Sequence, residues 1–110
     1  MGANTMGMIT MDKKVFIFNN GGHDYSDAER FGTLHFITIP PEAKWDFALL
    51  FEILRKGLED AKEDDYILIS SLTSVCCIAT ALFVEWFGRV QYLVYKGGKY
   101  EAKLIVLDRT

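Results

Sequence analysis

The chain has 110 residues, half of them hydrophobic, so its length fits one domain that can bury a core of its own. The formal net charge is −3, and the sequence contains no basic block, which argues against a nucleic-acid-binding surface. The longest apolar run, residues 74–84, is too short to span a bilayer. We therefore expect neither a nucleic-acid partner nor a membrane partner.

Cys76 and Cys77 are adjacent in the sequence and so are poorly placed to form a structural disulfide with each other. No C-x-x-C pair or His/Cys cluster predicts a metal site, and no motif predicts a cofactor. Two reduced thiols, which we expect in the core, favour a cytoplasmic location. The first ten residues lack the features of a signal peptide. We expect a disordered leader over residues 1–12, followed by a single α/β domain over 13–110.

The predicted elements begin with Val15–Phe18, a continuous apolar strand of the kind that is buried on both faces. Ser26–Glu29 matches a capping box at the start of a short helix, and Gly32 would end that helix in a left-handed conformation. Thr33–Ile39 predicts a second strand, in which His35 should be half-buried.

A long amphipathic helix is predicted over Glu42–Lys62, after a Pro-Pro pair. Gly57 is unfavourable inside a helix, and a close approach of that helix to the sheet would explain it. Tyr66–Ser70 predicts a third strand. Thr73–Phe87 then predicts a helix that is apolar nearly all round, so it should be heavily buried and should end at Gly88.

The last two strands, Arg89–Tyr95 and Tyr100–Leu107, form a predicted hairpin. Its turn places Gly97 and Gly98 at the two positions that need positive φ. This alternation of strands and helices predicts an α/β fold. We expect a small three-layer, Rossmann-like sandwich with a mostly parallel five-stranded sheet, in the order 2-1-3-4-5, and an antiparallel edge hairpin at the C-terminus.

A ligand site is expected beyond the carboxyl ends of strands one and three, because ligands bind where the strand order of an open parallel sheet reverses. Glycines there allow close backbone approach, hydroxyls supply hydrogen bonds, and two helix N-termini favour a negative charge. The residues that we predict to bind a ligand are Asn19, Asn20, Gly21, Gly22, Ser70, Ser71, Thr73 and Ser74.

Catalytic roles are assigned to His23, as a general acid or base near neutral pH, and to Asp24; Asp24 or Asp27 could orient His23. A hydroxyl of Ser70, Ser71 or Thr73 could act as a nucleophile if a base lies within hydrogen-bond reach. The structural alternatives stay open, since Asn and Gly form ordinary turns, and Asp, Ser and Thr cap helices.

The first functional hypothesis is a small-molecule-binding domain for a polar or phosphate-bearing, nucleotide-like ligand. The strand–SSLTS–helix arrangement is distantly similar to Rossmann-type ligand-sensing modules, although their threonine-lysine signature is absent and neither loop holds Lys or Arg. The alternative is a non-catalytic oligomeric or inhibitory protein that uses the apolar helix and the aromatic hairpin with Tyr92, Tyr95 and Tyr100. A hydrolase with His23 as its base ranks last, and we expect a homodimer.

Overall fold

A computed structural model describes residues 12–107, so the predicted leader lies outside it except for position 12. The strands are β1 (Lys14–Phe18), β2 (Thr33–Ile37), β3 (Tyr66–Leu68), β4 (Arg89–Lys96) and β5 (Lys99–Val106). The α-helices are α1 (Phe47–Gly57) and α2 (Thr73–Phe87). Two short 3-10 helices cover Ser26–Arg30 and Pro41–Ala43.

The five strands form one sheet in the order β2-β1-β3-β4-β5, which confirms the predicted order. β1 pairs in parallel with β2 and β3, and β3 pairs in parallel with β4. β4 and β5 form the antiparallel edge hairpin. Gly97 and Gly98 at its turn have φ values of 62° and 90°, as the predicted turn requires. The α/β class is therefore confirmed together with its topology.

The two faces of the sheet are covered unequally. Alternate strand residues point to opposite faces. Both α-helices pack on one face, against Phe16, Phe18, Ile67 and Val90. The other face is covered by the Ser26–Arg30 helix and its flanking aromatic residues. The strand residues buried on this face are Val15, Ile17, Leu68 and Leu93. The third layer of the sandwich is thus a single 3-10 helix with its loops, and it lies next to the candidate site.

Helix α1 is shorter than the predicted helix over 42–62. It begins after Asp46, whose Oδ1 accepts a hydrogen bond from the Leu49 N–H at 3.2 Å and so caps the helix at that point. The helix ends with Gly57, where an added Cβ would lie 3.2 Å from side-chain atoms of Ile37. That contact confirms the expected close approach of helix and sheet. The predicted helix is therefore too long at both ends: it begins after the side-chain cap at Asp46, and it ends at Gly57 because Leu58, with φ −102° and ψ 11°, leaves the helical conformation.

The connection between β1 and β2 differs from the predicted capping box. Ser26–Arg30 forms a 3-10 helix without a side-chain cap, and the Ser26 N–H instead donates to Asp24 Oδ1 at 2.9 Å. Gly32 is not among the residues with positive φ. A Cβ at Gly32 would lie 2.5 Å from the carbonyl oxygen of Lys13, so the glycine is needed for close backbone contact rather than for a left-handed turn.

Two predicted burial states are wrong. His35 is exposed because β2 is the edge strand and α1 covers Ile37 but leaves His35 open. Cys77 is exposed because it lies on the side of α2 away from the core, whereas Cys76 is buried as expected. Strands β2 and β3 each end two residues before the predicted limit. The bounds of α2 and its left-handed end at Gly88, with φ 71°, match the prediction.

Candidate functional site

One cavity of about 520 Å³ lies between the loops that follow β1 and β3. The first loop contributes His23, Asp24 and Tyr25, and the hairpin contributes Tyr95 and Tyr100. The second loop contributes Ser70 and Ser71, next to the end of β3. We call this cavity the crevice. It lies at the sheet edge where the strand order reverses.

Asn19 supports the first loop and does not line the crevice. Its backbone has φ 66°, and its N–H donates to Ile37 O at 2.9 Å. Its amide bonds twice to the backbone of Ile39, since Oδ1 accepts from the N–H at 2.6 Å and Nδ2 donates to the carbonyl at 3.3 Å. The side chain therefore extends the pairing of β1 and β2 beyond the ends of both strands.

We expect Asn19→Ala to lower the free energy of unfolding by roughly 2 kcal/mol, because it removes two hydrogen bonds and strains a left-handed backbone position. Asn19→Gly removes the same bonds but tolerates the backbone, so its loss should be roughly half as large. Urea unfolding followed by circular dichroism measures both variants. Equal losses in the two variants would contradict the contribution of backbone strain.

The rest of the first loop is held by local hydrogen bonds. Asn20 Oδ1 accepts from the Gly22 N–H at 3.1 Å, and Gly22 has φ 81°. The Gly21 N–H donates to the Tyr25 hydroxyl at 3.4 Å. Asn20, Gly21 and Gly22 thus shape the turn that carries His23, and none of the three lines the crevice.

His23 is exposed, and its ring lies edge-on to Tyr25 with centroids 6.0 Å apart. Asp24 Oδ1 accepts from the Ser26 N–H, and hydrogen bonding to Ser26 lowers the pKa of Asp24, so this carboxylate is ionised at neutral pH. Within residues 12–107 the imidazole of His23 has no hydrogen-bond partner. Asp24 therefore does not orient His23 in this structure.

The second loop divides the predicted residues between two cavities. Ser70 Oγ accepts from the Leu72 N–H at 3.3 Å, and Ser70 lines the crevice together with Ser71. Thr73 instead faces a separate cavity of about 430 Å³ beside α2, which Ser70 also lines. Ser74 Oγ donates to the Lys44 carbonyl at 3.4 Å. Of the four hydroxyl residues, only Ser70 and Ser71 share the crevice with His23.

The hairpin forms a third wall that the sequence analysis missed. The rings of Tyr95 and Tyr100 are 5.0 Å apart, with Tyr95 exposed and Tyr100 buried. Burial raises the pKa of the Tyr100 phenol, which therefore stays protonated at neutral pH. The predicted strand order could have indicated this wall. It places strand four parallel to strand three, so the end of β4 and the hairpin turn lie at the same edge of the sheet as Ser70.

The crevice combines ring side chains with hydroxyl groups and one carboxylate. No Lys or Arg is among the described residues that line it. The part of the chain that the structure describes contains no group of three or more His, Cys, Asp or Glu that could hold a metal. Neither Ser70 nor Ser71 is hydrogen-bonded to His23 within the same residues. The arrangement therefore lacks a preformed nucleophile–base pair within the described residues.

The sheet and the crevice define a small α/β protein with a ligand-sized cavity at the carboxyl edge of a mostly parallel sheet. The chain belongs to the family described as Phage Pam3 gp32-like protein, which it matches over residues 13–107. This segment includes every described strand and helix. No curated protein and no solved structure matches the chain. No helix within residues 12–107 is long and apolar enough to cross a membrane.

Proposed function

We propose that this protein binds a small polar, nucleotide-like molecule in the crevice. The main support is that His23, Ser70 and Ser71, which are distant in the sequence, line one cavity of about 520 Å³. Pockets for small molecules typically have volumes of about 300–1,000 Å³ and combine aromatic walls with a few polar groups. The crevice has both the size and the lining of such a pocket.

The lining favours a ligand with a planar ring. Tyr95 and Tyr25 offer aromatic surfaces for a ring to pack against, and the Ser71 hydroxyl has no hydrogen-bond partner among residues 12–107. The ionised Asp24 would accept hydrogen bonds from ligand N–H or O–H groups. A phosphate would be repelled by Asp24, and no described Lys or Arg lines the crevice, so this lining favours the ring and sugar of a nucleotide-like ligand over its phosphate.

A thermal-shift series with nucleosides and nucleoside monophosphates tests the proposal. We expect at least one of these probes to raise the melting temperature of the wild type. Tyr95→Ala should weaken that binding by about 10-fold or more, because it removes a stacking surface. Thr73→Ala is the matched control, since Thr73 lies in the neighbouring cavity and should leave binding unchanged.

The double variant His23→Ala/Ser71→Ala tests the polar side of the same site. Both side chains are exposed at the crevice, so the fold should tolerate their loss. We expect the double variant to lose the thermal shift of the wild type. Binding unaffected by the double variant would overturn the assigned site.

A second candidate function is a non-catalytic oligomeric or inhibitory protein. It is favoured by large apolar side chains that the fold leaves exposed, including Trp45 at 79% and Phe47 at 54%. Catalysis by His23 has less support, because no hydroxyl in the crevice is hydrogen-bonded to it. We also propose a cytoplasmic location, which rests on the two free thiols of Cys76 and Cys77.

A further inference from the structure

Strand β5 is an outer strand of the sheet, and alternate residues direct their backbone groups away from β4. The two-residue turn makes Lys96 and Lys99 a hydrogen-bonded pair, so the odd-numbered residues of β5 bond to β4. The Leu107 N–H donates to Gly88 O at 2.9 Å, which fits the same alternation. The residues whose N–H and C=O groups point outward are therefore Tyr100, Ala102, Leu104 and Val106.

Two side chains already occupy the outward groups of Tyr100. Its N–H donates to Asp27 Oδ2 at 2.7 Å, and its carbonyl accepts from Arg30 Nη2 at 2.6 Å. The bond from Tyr100, and then that from Arg30, lowers the pKa of Asp27, so the carboxylate is charged at neutral pH. Asp27 and Arg30 also bond to each other at 3.1 Å. This Asp27–Arg30 clamp replaces a neighbouring strand at Tyr100, and within residues 12–107 no other strand pairs with the outer edge from Ala102 to Val106.

The free edge is unusually apolar for an unpaired strand. Leu104, Ile105, Val106 and Leu107 are each between 43% and 60% exposed. Lys103 is the one charged residue between Ala102 and Leu107, and this stretch contains no proline. Proteins commonly protect an exposed edge strand with charges, prolines or bulges, because such an edge is a template for strand pairing.

We propose that residues 102–106 pair antiparallel with the same residues of a second copy of this chain, with Leu104 on the twofold axis. The clamp excludes a register centred on Ala102, which would need the outward groups of Tyr100. A register centred on Lys103 places two lysines opposite each other. Because β5 ends at Val106, a register centred on Ile105 pairs Leu104 with Val106 and leaves Ala102 outside the paired segment.

The register centred on Leu104 uses all three free positions. Leu104 lies opposite Leu104 of the second copy, and Ala102 lies opposite Val106. Each of these pairs exchanges two backbone hydrogen bonds, and their side chains form one apolar row on the same face of the joined sheet. Residues 102–106 are thus complementary to themselves in this register, and for this reason we propose a second copy of the chain as the partner of the edge. This interface is independent of the ligand proposed for the crevice.

Oligomeric state in light scattering tests the interface. We expect a wild-type dimer at micromolar concentration, and Leu104→Lys should raise its dissociation constant at least about 100-fold by facing two like charges across the axis. Trp45→Lys is the control for association through the exposed residues near α1 and should remain dimeric. A monomeric wild type, a dimeric Leu104→Lys, or a dimer that Trp45→Lys disrupts overturns the proposal. Circular dichroism checks that each variant is folded.

Disulfide trapping tests the register, in a Cys77→Ser background because Cys77 is exposed. In the proposed register Lys103 lies opposite Ile105 of the second copy, as a non-hydrogen-bonded pair with Cβ atoms close enough for a disulfide. We expect a mixture of Lys103→Cys and Ile105→Cys, one of them tagged, to form the mixed disulfide on oxidation. Each variant alone should cross-link far less. No mixed disulfide, or equal cross-linking of one variant alone, would show that the register is wrong.

Discussion

Replacement of Asp65 by alanine is expected to lower the free energy of unfolding by roughly 3 kcal/mol, since it removes two charge-assisted hydrogen bonds from a buried site. Asp65 is 1% exposed and directly precedes β3. Its Oδ1 accepts from the Lys14 N–H at 2.9 Å, and its Oδ2 accepts from the Lys62 N–H at 2.8 Å. Lys14 Nζ adds an ion pair at 3.6 Å. The carboxylate thereby joins the start of β1 to the loop that leads into β3.

Two matched variants separate this role from a general effect of charge. Asp65→Asn keeps one acceptor oxygen, so its loss of stability should lie between those of the wild type and the alanine variant. Asp64→Ala removes an exposed carboxylate and should change stability by less than about 0.5 kcal/mol. Urea unfolding at one protein concentration compares all three variants. If Asp65→Ala lost no more stability than Asp64→Ala, the hydrogen bonds from the Lys14 and Lys62 N–H groups to Asp65 would not stabilise the fold as predicted.

The central strands were predictable because they are apolar at every position. Val15–Phe18 and Tyr66–Leu68 are covered on both faces, so each side chain there is hydrophobic and the runs stand out in the sequence. Adjacent glycines at 97 and 98 specify a two-residue turn because both need positive φ. The strand order then follows from short crossovers in an alternating α/β chain.

The charged residues that connect distant elements were not predictable from local pattern. Asp65 lies in a polar run that is typical of a solvated loop, but it bonds to Lys14, 51 residues away. Asp27 would pass for a residue of the short helix, but it bonds to Tyr100, 73 residues away. A local pattern reports which face of an element is apolar, and it carries no information about which distant backbone group a carboxylate meets.

The location of the candidate site could be predicted from the sequence, but most of the residues that line it could not. Strand order alone places His23 near Ser71, because the carboxyl ends of parallel strands share an edge. A side chain that bonds to backbone, such as Asn19, has the same sequence signature as one that faces a ligand. Tyr95 and Tyr100 enter the crevice because the hairpin packs against the loop after β1, and this packing depends on the buried contacts of Tyr100.

Gly32→Ala is expected to lower the free energy of unfolding by about 3 kcal/mol or more, because the new Cβ would meet backbone that cannot rotate away. The Cβ would lie 2.5 Å from the Lys13 carbonyl oxygen and 2.8 Å from its carbon. The same oxygen accepts a hydrogen bond from the Thr33 N–H at 2.8 Å, next to the first residues of β1 and β2. A shift of Lys13 would therefore break the hydrogen bond that joins the two strands where they begin. Thermal and urea unfolding measure the loss.

Two further substitutions identify the cause of that loss. Gly57→Ala also creates a close contact, at 3.2 Å, but with the flexible side chain of Ile37, so its effect should stay within about 1 kcal/mol. Gly32→Asn distinguishes steric contact from backbone conformation, because asparagine tolerates a left-handed position but still carries a Cβ. We expect Gly32→Asn to be at least as unstable as Gly32→Ala. If Gly32→Asn were instead as stable as the wild type, position 32 would need a left-handed backbone, which contradicts the absence of a positive φ at Gly32.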